Sequence, residues 1–208
     1  KKVAVLHDKQ SYGQGIASSV RDDLKKANVA VALFEGINAG DSDYSAVITK
    51  LKGAGVDFVY YGGYHPEMGL LLRQAAEQGL KVKMMGPEGV GNPEVNAIAG
   101  PAVEGMLVTL PADFAANPKN AAVVKAFADK KRNASGAFQL TSFAATQSLL
   151  AAIKAAGDNP AKVADWMHKT TGVETVLGPV SWNKQGDLNA FDFQVFQWHK
   201  DGSKSLAK

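Results

Sequence analysis

Residues 2–36 read KVAVLHDKQSYGQGIASSVRDDLKKANVAVALFEG and contain one complete strand–helix–strand unit. The apolar run 3–6 is short and uninterrupted, which is typical of a strand buried on both faces of a sheet. Apolar residues four positions apart then predict an amphipathic helix over 15–26. A second apolar run predicts another buried strand over 29–34. This stretch therefore predicts the first repeat of an alternating α/β fold.

The same alternation continues to residue 110. Asp41 is predicted to be the N-cap of the next helix, and Pro66 occupies a position suited to the first turn of the one after it. The remaining patterns predict strands over 57–61, 82–85 and 104–110, with a short helix after Asn92. Repeated strand–helix units with short connections predict a parallel sheet covered by helices on both faces.

The pattern changes after Pro111, so we expect a domain boundary near residue 110. Helical patterns dominate the next eighty residues, and residues 183–187 are typical of a turn. The predicted elements there are helices over 117–131, 138–156 and 160–169 and strands over 173–176, 180–182 and 191–198.

Composition limits the classes of protein to consider. The chain has 208 residues and a net charge of +3, and its 23 basic and 20 acidic residues are interspersed. A nucleic-acid partner is not expected, because no basic stripe is present. The absence of cysteine excludes disulfides, thiol nucleophiles and cysteine metal ligands. No apolar run approaches the roughly 18–20 residues of a membrane span.

The chain starts directly on a strand pattern without an initiator Met or signal peptide, so we interpret it as mature, trimmed or partial.

Three candidate ligand-binding residues follow the predicted strands. Tyr12 lies after the first strand, Tyr64 after the third and Glu88 after the fourth, each among glycines. Ligands of open α/β sheets bind beyond the carboxyl ends of the strands, and glycine allows close approach to the backbone. A carboxylate beside two aromatic faces suits a small cation such as an ammonium. From spacing alone, packing of Tyr12 on its helix, a turn at Tyr64 and a solvated Glu88 remain alternatives.

A metal or catalytic site is not predicted. His65 and Glu67 suggest a metal-binding or acid–base pair, but no third ligand has suitable spacing, so we expect surface residues at a helix start. No motif in the sequence assembles a nucleophile, a base and a group that orients the base. We therefore predict no catalytic residues, no metal and no cofactor.

One segment partly resembles a dinucleotide-binding fingerprint. Residues 13–18 read GQGIAS after the first strand, and Glu35 ends the second. The fingerprint requires its first glycine directly after the strand, whereas five residues intervene before Gly13. Ser18 also replaces the third glycine. A nucleotide-cofactor enzyme is therefore a weak alternative.

Several long motifs resemble the leucine/isoleucine/valine-binding proteins of bacterial ABC transport. The motifs are HDKQSYGQG at 7–15, FVYYGGYHPEMG at 58–69, MGPEG at 85–89, SGAF at 135–138, LGP at 177–179 and WNKQGDL at 182–188. The resemblance covers essentially the whole chain. It implies the type I periplasmic-binding-protein fold, in which two α/β lobes joined by three crossing strands close on the ligand.

The resemblance also implies roles for the candidate residues. Tyrosines at the places of Tyr12 and Tyr64 line the cleft of such proteins, and a glutamate at the place of Glu88 binds the ligand's α-ammonium. The implied protein is periplasmic and non-catalytic, captures a branched-chain amino acid and docks on the membrane permease of an ABC transporter. A ligand-sensing domain of a receptor or regulator on the same fold is the alternative function.

The sequence departs from this family in lacking the N-terminal lobe that precedes the first strand. The resemblance then implies that residues 1–111 and 194–208 form the C-terminal ligand-binding lobe and that 112–193 belong to the other lobe, incomplete here. We expect this chain alone to bind an amino acid weakly, because the absent lobe supplies the contacts to the ligand carboxylate. We also expect residues 112–193 to expose an apolar face and to self-associate.

Overall fold

The computed structural model describes residues 2–136 and 138–207. Ala137, inside the SGAF motif, and the terminal residues Lys1 and Lys208 lie outside the described residues. The strands are β1 Val3–His7, β2 Val31–Gly36, β3 Phe58–Gly62, β4 Lys83–Gly86, β5 Leu107–Pro111, β6 Val173–Thr175, β7 Gly178–Val180, β8 Phe193–Trp198 and β9 Lys204–Leu206. The α-helices are α1 Ser11–Lys26, α2 Ser45–Ala54, α3 His65–Glu77, α4 Glu94–Ala99, α5 Ala121–Asp129, α6 Gln139–Ala156 and α7 Pro160–Lys169.

The chain divides into two compact units. Lys1–Leu110 and Gln194–Lys208 form the first unit, and Pro111–Phe193 form the second. The first unit is therefore built from two stretches that are distant in sequence. The assignment of the two units to the lobes of a binding protein stays a prediction.

The first unit is built on the predicted α/β sheet. Its strand order is β2-β1-β3-β4-β5-β8-β9, and β1 to β5 pair in parallel wherever their register is defined. All five residues of β1 are buried, as expected for a strand covered on both faces. The strand order changes direction between β1 and β3, which is where open sheets of this type bind ligands.

Two predicted helix starts are wrong. Helix α1 begins at Ser11 rather than at residue 15, so Tyr12 lies in a helical turn and not in a loop. Helix α2 begins at Ser45, and Asp41 does not cap it. The Asp43 carboxylate instead accepts the Ser45 N–H at 2.8 Å, while Asp41 bonds to the Asn38 side chain. Both errors arise because polar residues adjoining the apolar stripe carry no periodic signal.

The second unit combines helices with a small hairpin. Strands β6 and β7 pair antiparallel, and α6 packs Leu140 and Ala144 into a cluster with Ala134 and Val176. The predicted turn at 183–187 is confirmed, since Asn183 N–H donates to the Asp187 carbonyl at 2.9 Å. Among the described residues, no helix combines the length and apolarity needed to cross a membrane.

Candidate functional site

The three candidate residues lie at one edge of the sheet. Strands β1, β3 and β4 run in parallel and end at His7, Gly62 and Gly86, so the segments after them meet there. Tyr12 is in the first turn of α1, Tyr64 directly precedes α3, and Glu88 opens a 3₁₀ turn over Glu88–Val90. Parallel pairing thus brings together residues that are up to 76 positions apart in sequence.

Tyr12 and Tyr64 form an open aromatic pair. Their ring centroids are 5.2 Å apart with 35° between the planes, a tilted contact within the favourable range for aromatic rings. The side chains remain 39% and 44% exposed, which is high for tyrosines in mutual contact. The pair therefore keeps aromatic surface available to a ligand.

Gly89 connects the aromatic pair to the glutamate. Its N–H donates to the Tyr12 hydroxyl at 3.3 Å. A Cβ at this position would lie 2.7 Å from the Gly63 carbonyl and 3.1 and 3.2 Å from the Tyr12 and Tyr64 rings. A larger residue at position 89 would have to displace the site itself, so the glycine is required by packing.

Glu88 presents a half-buried carboxylate. Burial raises its pKa above the ordinary glutamate value of 4.5. Over residues 2–136 and 138–207, no group donates a hydrogen bond to this carboxylate and no cation pairs with it. A carboxylate that is partly desolvated and unpaired is suited to an incoming cation.

The pKa of the Tyr12 phenol is also raised. Burial is the main cause, and the negative charges of Glu88 and Asp8 add to it, while the hydrogen bond from Gly89 acts in the opposite direction. Glu88 and Asp8 thus both lie close enough to Tyr12 for their charges to act on its phenol.

The interpretation of Glu67 as a surface residue is wrong. Glu67 is only 7% exposed, and its Oε1 accepts the Gly40 N–H at 3.1 Å. It fastens the segment after β2 to α3, which is a structural role. His65 pairs instead with Glu94, at 3.1 Å. In the described part of the chain, no group of three or more His, Cys, Asp or Glu residues is arranged to hold a metal ion.

A Ser–His–Glu arrangement that sequence analysis missed lies on the hairpin of β8 and β9. His199 Nε2 is 2.8 Å from Ser205 Oγ, and His199 Nδ1 is 3.1 Å from Glu104 Oε1. Glu104 Oε2 also accepts the Lys200 N–H at 2.9 Å. These bonds fasten the exposed hairpin to the turn before β5. No sequence motif predicts these bonds, because Glu104 is far in sequence from His199 and Ser205.

The fold is that of a periplasmic binding protein. Residues 1–203 match the sequence profile of the periplasmic binding protein family, and the chain belongs to that family. The predicted type I fold is thereby confirmed, as is the resemblance from which it was predicted.

Named relatives are closely similar in sequence. The chain is 51% identical over 208 residues to the Leu/Ile/Val-binding protein of Citrobacter freundii. It is 52% identical over 209 residues to the leucine-, isoleucine-, valine-, threonine-, and alanine-binding protein of Pseudomonas aeruginosa. Both alignments cover 100% of this chain and 56% of the relative, so the chain spans little more than half of their length.

A solved structure shows the same architecture. The leucine-binding protein of Thermotoga maritima matches with a TM-score of 0.87 and 27% identity, over 100% of this chain and 60% of that protein. The branched-chain amino acid transporter substrate-binding protein of Streptococcus pneumoniae, solved with isoleucine, matches with a TM-score of 0.81 and 23% identity, which supports the fold.

Proposed function

We propose that this chain is the ligand-binding part of an extracytoplasmic solute-binding protein that captures leucine, isoleucine or valine for uptake by an ABC transporter. The observation that carries the proposal is the half-buried Glu88 carboxylate, which has no donor or cation among the described residues and lies beside an exposed tyrosine pair. The names of the relatives support the ligand class.

The geometry suits the ammonium end of an amino acid. Glu88 would accept charge-assisted hydrogen bonds from the ammonium, each contributing about 1.5–3 kcal/mol. The faces of Tyr12 and Tyr64 would add a cation–π contribution of about 0.5–2 kcal/mol. An uncharged ligand would leave Glu88 desolvated and unpaired, so the site discriminates in favour of ammonium groups.

The wider biological setting is part of the same proposal. Residues 1–111 and 194–208 form the C-terminal ligand-binding lobe, and 112–193 belong to the N-terminal lobe. The protein acts in the periplasm, delivers its ligand to a membrane permease and catalyses no reaction. The family name and the relatives' names support this setting.

A thermal-shift panel of the twenty amino acids tests the proposal on the natural full-length protein. Leucine, isoleucine or valine is expected to raise Tm, because a ligand that binds only the folded state stabilises it. Lysine and aspartate have the same α-ammonium but a charged side chain, and as controls they are expected to shift Tm less than the aliphatic amino acids. A panel without a shift for any aliphatic amino acid would refute the function.

We further propose that the second unit self-associates through α6. Leu149, Leu150 and Ile153 on this helix are 48%, 62% and 42% exposed. Lys154 is the one charged residue within α6, so little charge repulsion opposes a second copy of the chain. An exposed apolar helix face of this kind favours a symmetric contact between two copies.

A further inference from the structure

Asp8 is a buried carboxylate at the same edge of the sheet as the aromatic pair. It follows β1, is 2% exposed, and donates its backbone N–H to the Gly62 carbonyl at 3.1 Å. Its Oδ1 accepts the Gln10 N–H at 2.9 Å and fills the space that a Cβ on Gly13 would need. Asp8 thus links two segments of the site. One is the segment after β1, which carries Tyr12, and the other is the end of β3, which Tyr64 follows.

The other oxygen of the Asp8 carboxylate has no protein partner that would explain its burial. Asp8 Oδ2 is buried and has no hydrogen-bond partner among the described residues. Leaving a buried carboxylate oxygen unpaired is costly, so a side chain kept in this state needs a reason.

The charge of Asp8 acts on the candidate site. Asp8 and Glu88 both contribute to raising the pKa of the Tyr12 phenol, after burial, which is the larger cause. Asp8 likewise contributes to the raised pKa of the buried Tyr61. Two carboxylates on different segments, one buried and one half-buried, therefore act on the same aromatic group.

We propose that Asp8 is a second, buried anion of the ammonium site and acts as a positioning residue. The inference rests on the proposed function. Asp8 does not contact the ligand: it makes the surroundings of Tyr12 and Tyr64 more negative and holds the first turn of α1 in place. Its charge favours ligands that bring an ammonium group, in addition to the direct contact from Glu88.

The test compares wild type, Asp8→Asn and Glu88→Gln in the natural full-length protein. Asp8→Asn keeps the shape and an acceptor for Gln10 N–H but removes the charge. Calorimetry with leucine is expected to show about tenfold weaker binding for Asp8→Asn. This is the size of effect expected when a charge several ångströms from the ligand ammonium is removed at an intermediate dielectric constant. Carbon-13 NMR of labelled tyrosine is expected to show a lower Tyr12 pKa without ligand, while the Tyr12 and Tyr64 ring resonances at neutral pH stay as in wild type. Unchanged ring resonances show that the pair is still packed, so that loss of charge and not loss of burial lowers the pKa.

The outcomes separate this inference from the proposed function. Leucine binding absent in wild type refutes the function, while a lowered Tyr12 pKa in Asp8→Asn still supports the charge of Asp8 at the site. The inference is overturned if Asp8→Asn binds leucine as tightly as wild type, or if it binds more weakly but its Tyr12 pKa is unchanged. Either result leaves the function intact. If Asp8→Asn does not fold, Asp8→Ser, which keeps a cap acceptor without charge, is measured with the same two criteria.

Discussion

At the scale of single residues, Tyr12, Tyr64 and Glu88 were predictable as neighbours because each follows a strand of one parallel sheet. The rule that ligands bind beyond the carboxyl ends of such strands needs only the order of the elements. Asp8 was not predictable as a buried charge, since its burial depends on its backbone bond to Gly62 and on its contact with Gly13. Such contacts leave no periodic pattern in the sequence.

Leucine affinity is expected to fall as the pH is lowered. Burial raises the pKa of Glu88, and an ammonium pairs with the ionised carboxylate, so protonation begins to weaken binding above pH 4.5, the ordinary value. The stability of the ligand-free protein is expected to depend on pH in the opposite direction. Burying the Glu88 charge costs folding stability, and this cost disappears as the pH falls through the raised pKa. Calorimetry between pH 7.5 and 4.5 measures the effect.

The control for this pH dependence is Glu88→Gln. It removes the titrating group, so its weaker affinity is expected to vary much less with pH. A wild-type affinity that stays constant down to pH 4.5 would show that Glu88 does not hold the ammonium.

Replacing Tyr64 tests the aromatic contribution. Tyr64→Ala removes one face of the pair and is expected to weaken leucine binding about 2- to 30-fold, the equivalent of about 0.5–2 kcal/mol for a cation–π contact. Tyr64→Phe retains the ring and its contact with Tyr12, so its affinity is expected to stay close to wild type. Equal affinities for Tyr64→Ala and wild type in calorimetry would exclude a role for this ring.

At the scale of elements, strands β1 to β5 and β8 and their order along the chain were predictable, whereas β9 and several boundaries were not. The apolar stripe of α1 starts at Ile16, whereas the helix starts at Ser11. Strand β9 has three exposed residues and pairs with β8 mainly through backbone bonds, so it has no apolar run to reveal it. Sequence patterns detect the buried parts of elements and miss those fixed by backbone bonds.

Gly89→Ala is expected to weaken leucine binding about tenfold. The added methyl group would press on the Gly63 carbonyl and on the Tyr12 and Tyr64 rings, and such overpacking typically costs about 1–3 kcal/mol. Calorimetry measures the affinity, and thermal unfolding confirms that the variant folds.

Gly15→Ala is the matched control. A Cβ at Gly15 in α1 meets nothing within 4 Å. The substitution is therefore expected to leave binding unchanged and to stabilise the helix by about 0.5–1 kcal/mol. If both glycine variants bind leucine like wild type, position 89 does not shape the site.

At the scale of the whole molecule, the alternating patterns predicted the parallel sheet, but not that the sheet is completed from the far end of the chain. β8 lies next to β5 in strand order, with β9 beyond it, and both are more than eighty residues away from β5 in sequence. Only the family resemblance indicated that residues near 194–208 join the first unit. Pairing between distant segments is set by tertiary contacts, which local periodicity does not encode.

Self-association is expected to depend on α6. The natural full-length protein and the 208-residue chain are compared by sedimentation velocity over a hundredfold concentration range. Leu150→Glu is expected to abolish any concentration-dependent dimer, because it places a charge on the exposed apolar face. Lys162→Glu, on the exposed side of α7, is the control for an added glutamate. A 208-residue chain that stays monomeric at all concentrations would contradict this proposal.

The central claim is that Glu88 holds the ammonium group of a branched-chain amino acid. Calorimetric titration of leucine into the natural full-length protein and its Glu88→Gln variant tests it most directly, with Glu77→Gln as an exposed-glutamate control. Removing one partner of a partly buried charge pair costs about 2 kcal/mol or more, so we expect at least roughly thirtyfold weaker binding for Glu88→Gln and no change for Glu77→Gln. Equal affinities of wild type and Glu88→Gln would contradict the account.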